Sequence, residues 1–140
     1  MKLLDTNVVN YARNKASPWH DWARLAIAEA GSTEGVGVNP VVLAELCAYA
    51  KPAGQLLRDL DAWDVQLLDL PAGAARLCGE AYDKYRTARK AQSQKDAAKV
   101  PLPDFFIGAH AEFKGWTVIT NDPGRIKTYF PKVKLDQPPR

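Results

Sequence analysis

Four carboxylates stand out in this sequence because of their surroundings. Asp5 closes the apolar start Leu3-Leu4, and Glu45 is the only charged side chain in the run from Val41 to Ala50. Asp104 stands between Leu102-Pro103 and the apolar stretch Phe105-Phe106-Ile107-Gly108-Ala109, and Asp122 lies just past Thr117 to Thr120. A carboxylate placed among apolar groups is costly unless it is paired or bound to a metal. No lysine or arginine lies within three residues of Glu45 or Asp104. Each acid has an ordinary reading: a turn initiator at Asp5, a buried acid with a mundane partner at Glu45, a helix cap at Asp104, a turn residue before Pro123-Gly124 at Asp122. Together they suggest more. Carboxylates that converge without cations raise one another's pKa, and a divalent ion resolves the conflict. An oxygen-only ligand set suits Mg²⁺ or Mn²⁺, as one ion or two.

The elements that must position these acids alternate. Leu3-Leu4 reads as a short buried strand ending at Asp5. Trp19, Trp22, Ala23, Ala26, Ile27 and Ala30 recur at helical spacing, with Gly31 as the stop. Gly35 to Val38 is a second strand, and Asn39-Pro40 opens a helix with Asn39 as its cap. That helix is apolar nearly all round, which predicts burial. Leu56, Leu57, Leu60 and Trp63 mark a further helix, Val65 to Leu70 a strand, and Ala74 through Ala88 a long amphipathic helix. Residues 91 to 103 read as a loop, Asp104 to Lys114 as a helix capped by Gly115, Thr117 to Thr120 as a strand, and Val133 to Leu135 as a last one. Strands alternating with helices predict an α/β fold with a mainly parallel sheet. In such sheets sites form outside the carboxyl ends of the strands, where Asp5 and Asp122 fall.

The chain has 140 residues, 46% hydrophobic and 25% charged, with a net charge of +3. That predicts one soluble domain over residues 1–135, with 136–140 as a frayed tail. No run approaches the roughly 20 apolar residues of a membrane span, and the acid at position 5 leaves no room for a signal-peptide apolar region, so the expectation is a cytoplasmic protein. Cys47 and Cys78 lack paired ligand spacing and read as buried free thiols. His110 falls on another face of the helix that Asp104 opens and reads as structural, and His20 has no visible ligand partner. Trp19, Trp22, Trp63 and Trp116 read as core or interface anchors.

The ordered set Leu3-Leu4-Asp5-Thr6-Asn7, Leu43-Ala44-Glu45-Leu46, Leu102-Pro103-Asp104-Phe105-Phe106-Ile107-Gly108-Ala109 and Val118-Ile119-Thr120-Asn121-Asp122 resembles the PIN-domain nuclease family over essentially the whole chain. The small size resembles the VapC-like toxins within it. The resemblance implies a Rossmann-like three-layer fold, a homodimer, RNA as substrate, and a VapB-like antitoxin that blocks the site with a cation, in a heterotetramer or larger assembly. By position it makes Asp5, Glu45, Asp104 and Asp122 the acidic pocket, with Thr6, Asn7, Thr120 and Asn121 orienting the carboxylates. The chemistry is metal-assisted phosphodiester hydrolysis, with Glu45 either a ligand or a general base. A phosphatase with an Asp nucleophile wants a second Asp where Asn7 stands, and a receiver-like domain wants a lysine after a late strand. The remaining rival is a non-catalytic RNA- or partner-binding module.

One further feature concerns the substrate. From Arg86 to Lys99 the chain carries Arg86, Arg89, Lys90, Lys95 and Lys99 against the single acid Asp96. A charge run is commonly a solvated face. This one immediately precedes Asp104 and is expected to draw an RNA backbone toward a pocket that would otherwise repel it.

Overall fold

The computed structural model describes residues 1–92 and 100–139. Lys95 and Lys99 lie outside the described residues. The chain order is β1 (Lys2–Leu4), α1 (Thr6–Arg13), α2 (His20–Ser32), β2 (Val36–Val38), α3 (Pro40–Tyr49), α4 (Ala53–Ala62), β3 (Gln66–Leu67) and α5 (Ala72–Ala91). A 3₁₀ turn (Leu102–Phe105) then leads into α6 (Phe106–Lys114), β4 (Thr117–Ile119), α7 (Gly124–Tyr129) and β5 (Leu135–Asp136). The strands form one sheet in the order β3-β2-β1-β4-β5. Every described pairing is parallel, with Leu3 opposite Gly37 on one side and Val118 on the other. Helices flank this sheet in a three-layer α/β fold.

Parallel sheets survive only when covered on both faces, and the core shows it: Leu3, Leu4, Val36, Val38, Val118 and Ile119 are all at most 1% exposed. The chain leaves β1 toward β2 in one direction and later returns to β4 on the other side. The strand order therefore reverses beside β1, and the crevice at the carboxyl ends of β1 and β4 is the topological switch point. Asp5 follows β1 directly, and Thr120 to Asp122 follow β4.

Several expectations need correction. Asp5 does more than end a strand: it is the N-cap of α1, a helix the sequence reading lacks, which buries Val8, Val9 and Ala12. Helix α7 is a second addition. Helix α2 runs through Gly31 to Ser32, and the chain reverses instead at Gly35, whose φ of 91° lies in the left-handed region that favours glycine. The strand expected over Val65 to Leu70 shrinks to two exposed residues at the sheet edge. Helix α3 is not buried all round. Val42 and Leu46 are buried, while Ala44, Ala48 and Tyr49 are exposed, because neighbouring elements cover only one side of it. At the carboxyl end, Asp136 belongs to β5 and Pro138 is buried. Cys78 is buried and its thiol is pushed up to about 11 by desolvation, whereas Cys47 is half-buried.

Candidate active site

Asp5, Glu45, Asp104 and Asp122, remote in sequence, line one cavity of about 310 Å³. They come from the start of α1, the middle of α3, the 3₁₀ turn before α6 and the loop after β4. Thr6, Asn7, Asn39, Ile107, Arg125 and Ile126 are among the other walls.

Asp5 is the most constrained. Its Oδ1 accepts from the Thr6 backbone N at 2.8 Å, and its Oδ2 accepts from Thr120 Oγ1 at 2.7 Å and Asn7 Nδ2 at 3.4 Å. Burial still pushes its pKa up, against the hydrogen bonds from Thr120 and Thr6, and the charge of Asp122 adds to the rise. Glu45 Oε2 accepts from Thr6 Oγ1 at 3.0 Å. Its pKa is likewise raised, first by burial and then by the charges of Asp104 and Asp5. The four acids therefore sense one another electrostatically, as converging carboxylates must.

Thr120 joins two of them. Its hydroxyl donates to Asp5 and accepts from the Asp122 backbone N at 2.9 Å. Thr6 similarly serves Asp5 through its backbone N and Glu45 through its hydroxyl. Asn121 donates its backbone N to Asn7 Oδ1 at 3.4 Å and its Nδ2 to the Tyr11 hydroxyl at 3.1 Å. It steadies Asn7 and α1 without touching an acid.

Asp104 and Asp122 have no side-chain hydrogen bond among the described residues. Asp104 caps neither the 3₁₀ turn nor α6, so capping does not account for it. Among the described residues no three acids are drawn close enough to share an ion as they stand. The Asp5 carboxylate accepts three hydrogen bonds, whereas Glu45 accepts one and Asp104 and Asp122 accept none among the described residues. An oxygen-only, mutually repelling set fits a hard divalent cation.

Arg125 is the residue that sequence reasoning missed. The absence of cations near Glu45 and Asp104 holds only along the chain, since Arg125 enters the cavity from α7. Its signal was hidden because α7, six residues long, showed no readable periodicity. Of the proposed RNA arm, Arg86, Arg89 and Lys90 lie on α5 and do not line the cavity. Arg86 pairs with Asp83 at 3.4 Å, and the Arg86 and Arg89 guanidinium groups lie over the rings of Tyr82 and Tyr85, one turn earlier. His110 lies in the core outside the cavity, its Nδ1 3.4 Å from Asn39 Nδ2.

The acid cluster lies at the switch-point crevice of an α/β domain. The PIN domain family model matches residues 2–131, and the chain belongs to that family. A comparison with curated proteins by sequence returned no match. Among solved structures, the chain is similar to VapBC2 from Rickettsia felis bound to a promoter DNA fragment, at 23% identity and a TM-score of 0.65 over 97% of each chain. It is similar to DNA-bound VapBC from Salmonella typhimurium, at 20% identity and a TM-score of 0.66, covering 97% of this chain and 96% of that one. It is also similar to VapC20 from Mycobacterium tuberculosis, a sarcin-ricin loop cleaving toxin, at 17% identity and a TM-score of 0.58, covering 95% of this chain and 98% of that one. At these identities the likeness establishes the shared fold. No helix among the described residues is long and apolar enough to cross a membrane.

Proposed function

We propose that this protein is a Mg²⁺- or Mn²⁺-dependent endoribonuclease and the toxin of a VapBC-type pair. The observation that carries the reading is the meeting of Asp5, Glu45, Asp104 and Asp122 in one cavity at the carboxyl ends of β1 and β4. Membership of the PIN domain family and the VapBC and VapC structures it resembles support it.

Asp5 and Asp104 are the primary ligands in this proposal, with Asp122 and Glu45 completing the set. A bound divalent ion would supply an activated water and charge stabilisation at the scissile phosphate. The residues of the chain do the remaining work. Thr120 and Thr6 hold the Asp5 carboxylate in one orientation, so the ligand set is partly organised in advance. Glu45, whose Oε2 accepts from Thr6 Oγ1, would either add its oxygens to the ligand set or, as general base, take a proton from the attacking water. Arg86, Arg89 and Lys90, together with Lys95 and Lys99, would guide the RNA backbone. The protein acts in the cytoplasm as a homodimer, and a VapB-like antitoxin joins it in a heterotetramer or larger complex, placing an Arg or Lys against the acids in competition with metal.

The test is cleavage of single-stranded RNA by the purified chain in Mg²⁺ or Mn²⁺, with EDTA as control. Cleavage is expected with metal and absent with EDTA. Asp5→Asn and Asp104→Asn are expected to keep the fold and lose activity, and wild-type rates in either would exclude the assignment. The rival reading, a non-catalytic binding module, predicts no cleavage under any metal.

A further inference from the structure

Arg125 lines the cavity with the four acids and is the one cation among its described walls. A guanidinium beside carboxylates ordinarily settles into a short, often bidentate pair with one of them. Here it does not. Among the described residues Arg125 forms no ion pair with Asp5, Glu45, Asp104 or Asp122. Its one hydrogen bond is a long one, 3.4 Å from Nη1 to the backbone carbonyl of Asp104. It is held instead by its flat face, with Cζ 5.6 Å from the centroid of the Phe105 ring. That ring is an immobile platform: Phe105 is fully buried and in ring contact with Tyr82, Tyr85 and Tyr129.

From this arrangement we infer that Arg125 is the phosphate-binding residue of the site, gripping the scissile phosphodiester of a single-stranded RNA. The inference rests on the nuclease reading for its substrate. A resting counter-ion would be paired with an acid, and a purely structural arginine would spend its donors on short bonds to the protein. The charge of Arg125 does favour the ionised carboxylates of Asp5 and Glu45, but among the described residues it forms no ion pair with either, and its one side-chain hydrogen bond leaves most of its N–H donors for a ligand inside the cavity. An acidic cavity repels phosphate, so a substrate phosphate needs a local cation in addition to any ion the acids hold. The planar fork of an arginine matches two phosphate oxygens at once, and a lysine at the same position would keep the charge but lose the fork and the stacking on Phe105.

The test compares wild type, Arg125→Gln and Arg125→Lys in three measurements. These are the thermal midpoint, the salt dependence of binding to a fluorescein-labelled single-stranded RNA in Ca²⁺, and kcat/KM for cleavage in Mn²⁺. The expected result is that both variants stay folded. Arg125→Gln should lower the slope of log affinity against log salt by about 0.7 and reduce kcat/KM on the order of 100-fold. Arg125→Lys should keep the slope and recover only part of the rate. A folded Arg125→Gln with wild-type slope and wild-type kcat/KM would overturn the inference while leaving the nuclease reading standing, and so would full activity in Arg125→Lys alongside an unchanged slope in Arg125→Gln. If Arg125→Gln does not fold, the Arg125→Lys rate decides alone. Wild type that neither binds nor cleaves RNA would remove the nuclease reading and this inference with it.

Discussion

Asp5 shows how one side chain serves two ends. It caps α1 through the Thr6 backbone N and presents its other oxygen to Thr120. Its pKa is nevertheless raised by burial, as is that of Glu45. A carboxyl group with a raised folded-state pKa holds its proton more tightly in the folded protein. Its contribution to stability is present below the unfolded pKa and is lost as pH climbs through the folded value. The metal-free protein is therefore expected to lose stability between the ordinary carboxylate range and the raised values of Asp5 and Glu45. Glu45→Gln should flatten that loss and raise the metal-free thermal midpoint at neutral pH by about 3 °C, read by calorimetry across pH. A midpoint that rises with pH over that window, or is unmoved by the substitution, would contradict it. Thr120 offers a second test. Thr120→Val strips a donor from Asp5 and an acceptor from the Asp122 backbone N, at a cost of about 1–3 kcal/mol for the unsatisfied groups, whereas Thr120→Ser should remain near wild type in denaturant unfolding and in activity. The four acids were legible in the sequence because apolar neighbours make a carboxylate conspicuous. Arg125 was not, because an arginine in a polar stretch after Pro123-Gly124 looks like any surface cation until α7 folds it inward.

At the scale of elements, the strands β1, β2 and β4 and the helices α3, α5 and α6 were readable, since each carries an apolar pattern with a clear start or stop. Asn39 does cap α3, accepting from the Val42 backbone N at 2.9 Å, and Gly115 does end α6 with a φ of 70°. Helices α1 and α7 were missed for a physical reason. They are eight and six residues long, too short for periodicity to show, and their stability comes from tertiary packing. Packing of α6 against Phe130, the residue that ends α7, matters to the site, because α6 follows Asp104 and α7 carries Arg125. Gly108 on α6 allows this approach: a Cβ there would collide with the Phe130 ring, which is 2% exposed. Gly108→Ala should cost about 1–3 kcal/mol by overpacking and lower activity by moving Arg125 relative to the acids. Gly73 faces an equally close ring, Phe113, but that ring is 49% exposed and can swing away, so Gly73→Ala should be close to neutral. Equal unfolding midpoints for the two variants would show that the Gly108–Phe130 contact is not rigid.

At the scale of the whole molecule, charge is unevenly spread. The stretch from Arg86 to Lys99 holds five cations against one acid, while the chain as a whole carries +3, so the remainder, including the cavity, leans acidic. A local excess of cations attracts a polyanion. Replacing Arg86, Arg89 and Lys90 together by Gln should lower the salt slope of RNA binding by about 2 with metal affinity unchanged. An unaltered slope would place the RNA path elsewhere. All of this depends on the acids acting as one ion-holding centre, and a calorimetric titration with Mn²⁺ at neutral pH tests that most directly. The wild-type chain is expected to bind Mn²⁺ with a matching rise in thermal midpoint, and both effects should vanish in Asp5→Asn and Asp104→Asn variants that remain folded. Absence of Mn²⁺ binding by the wild type, or equal binding by the folded variants, would contradict the account.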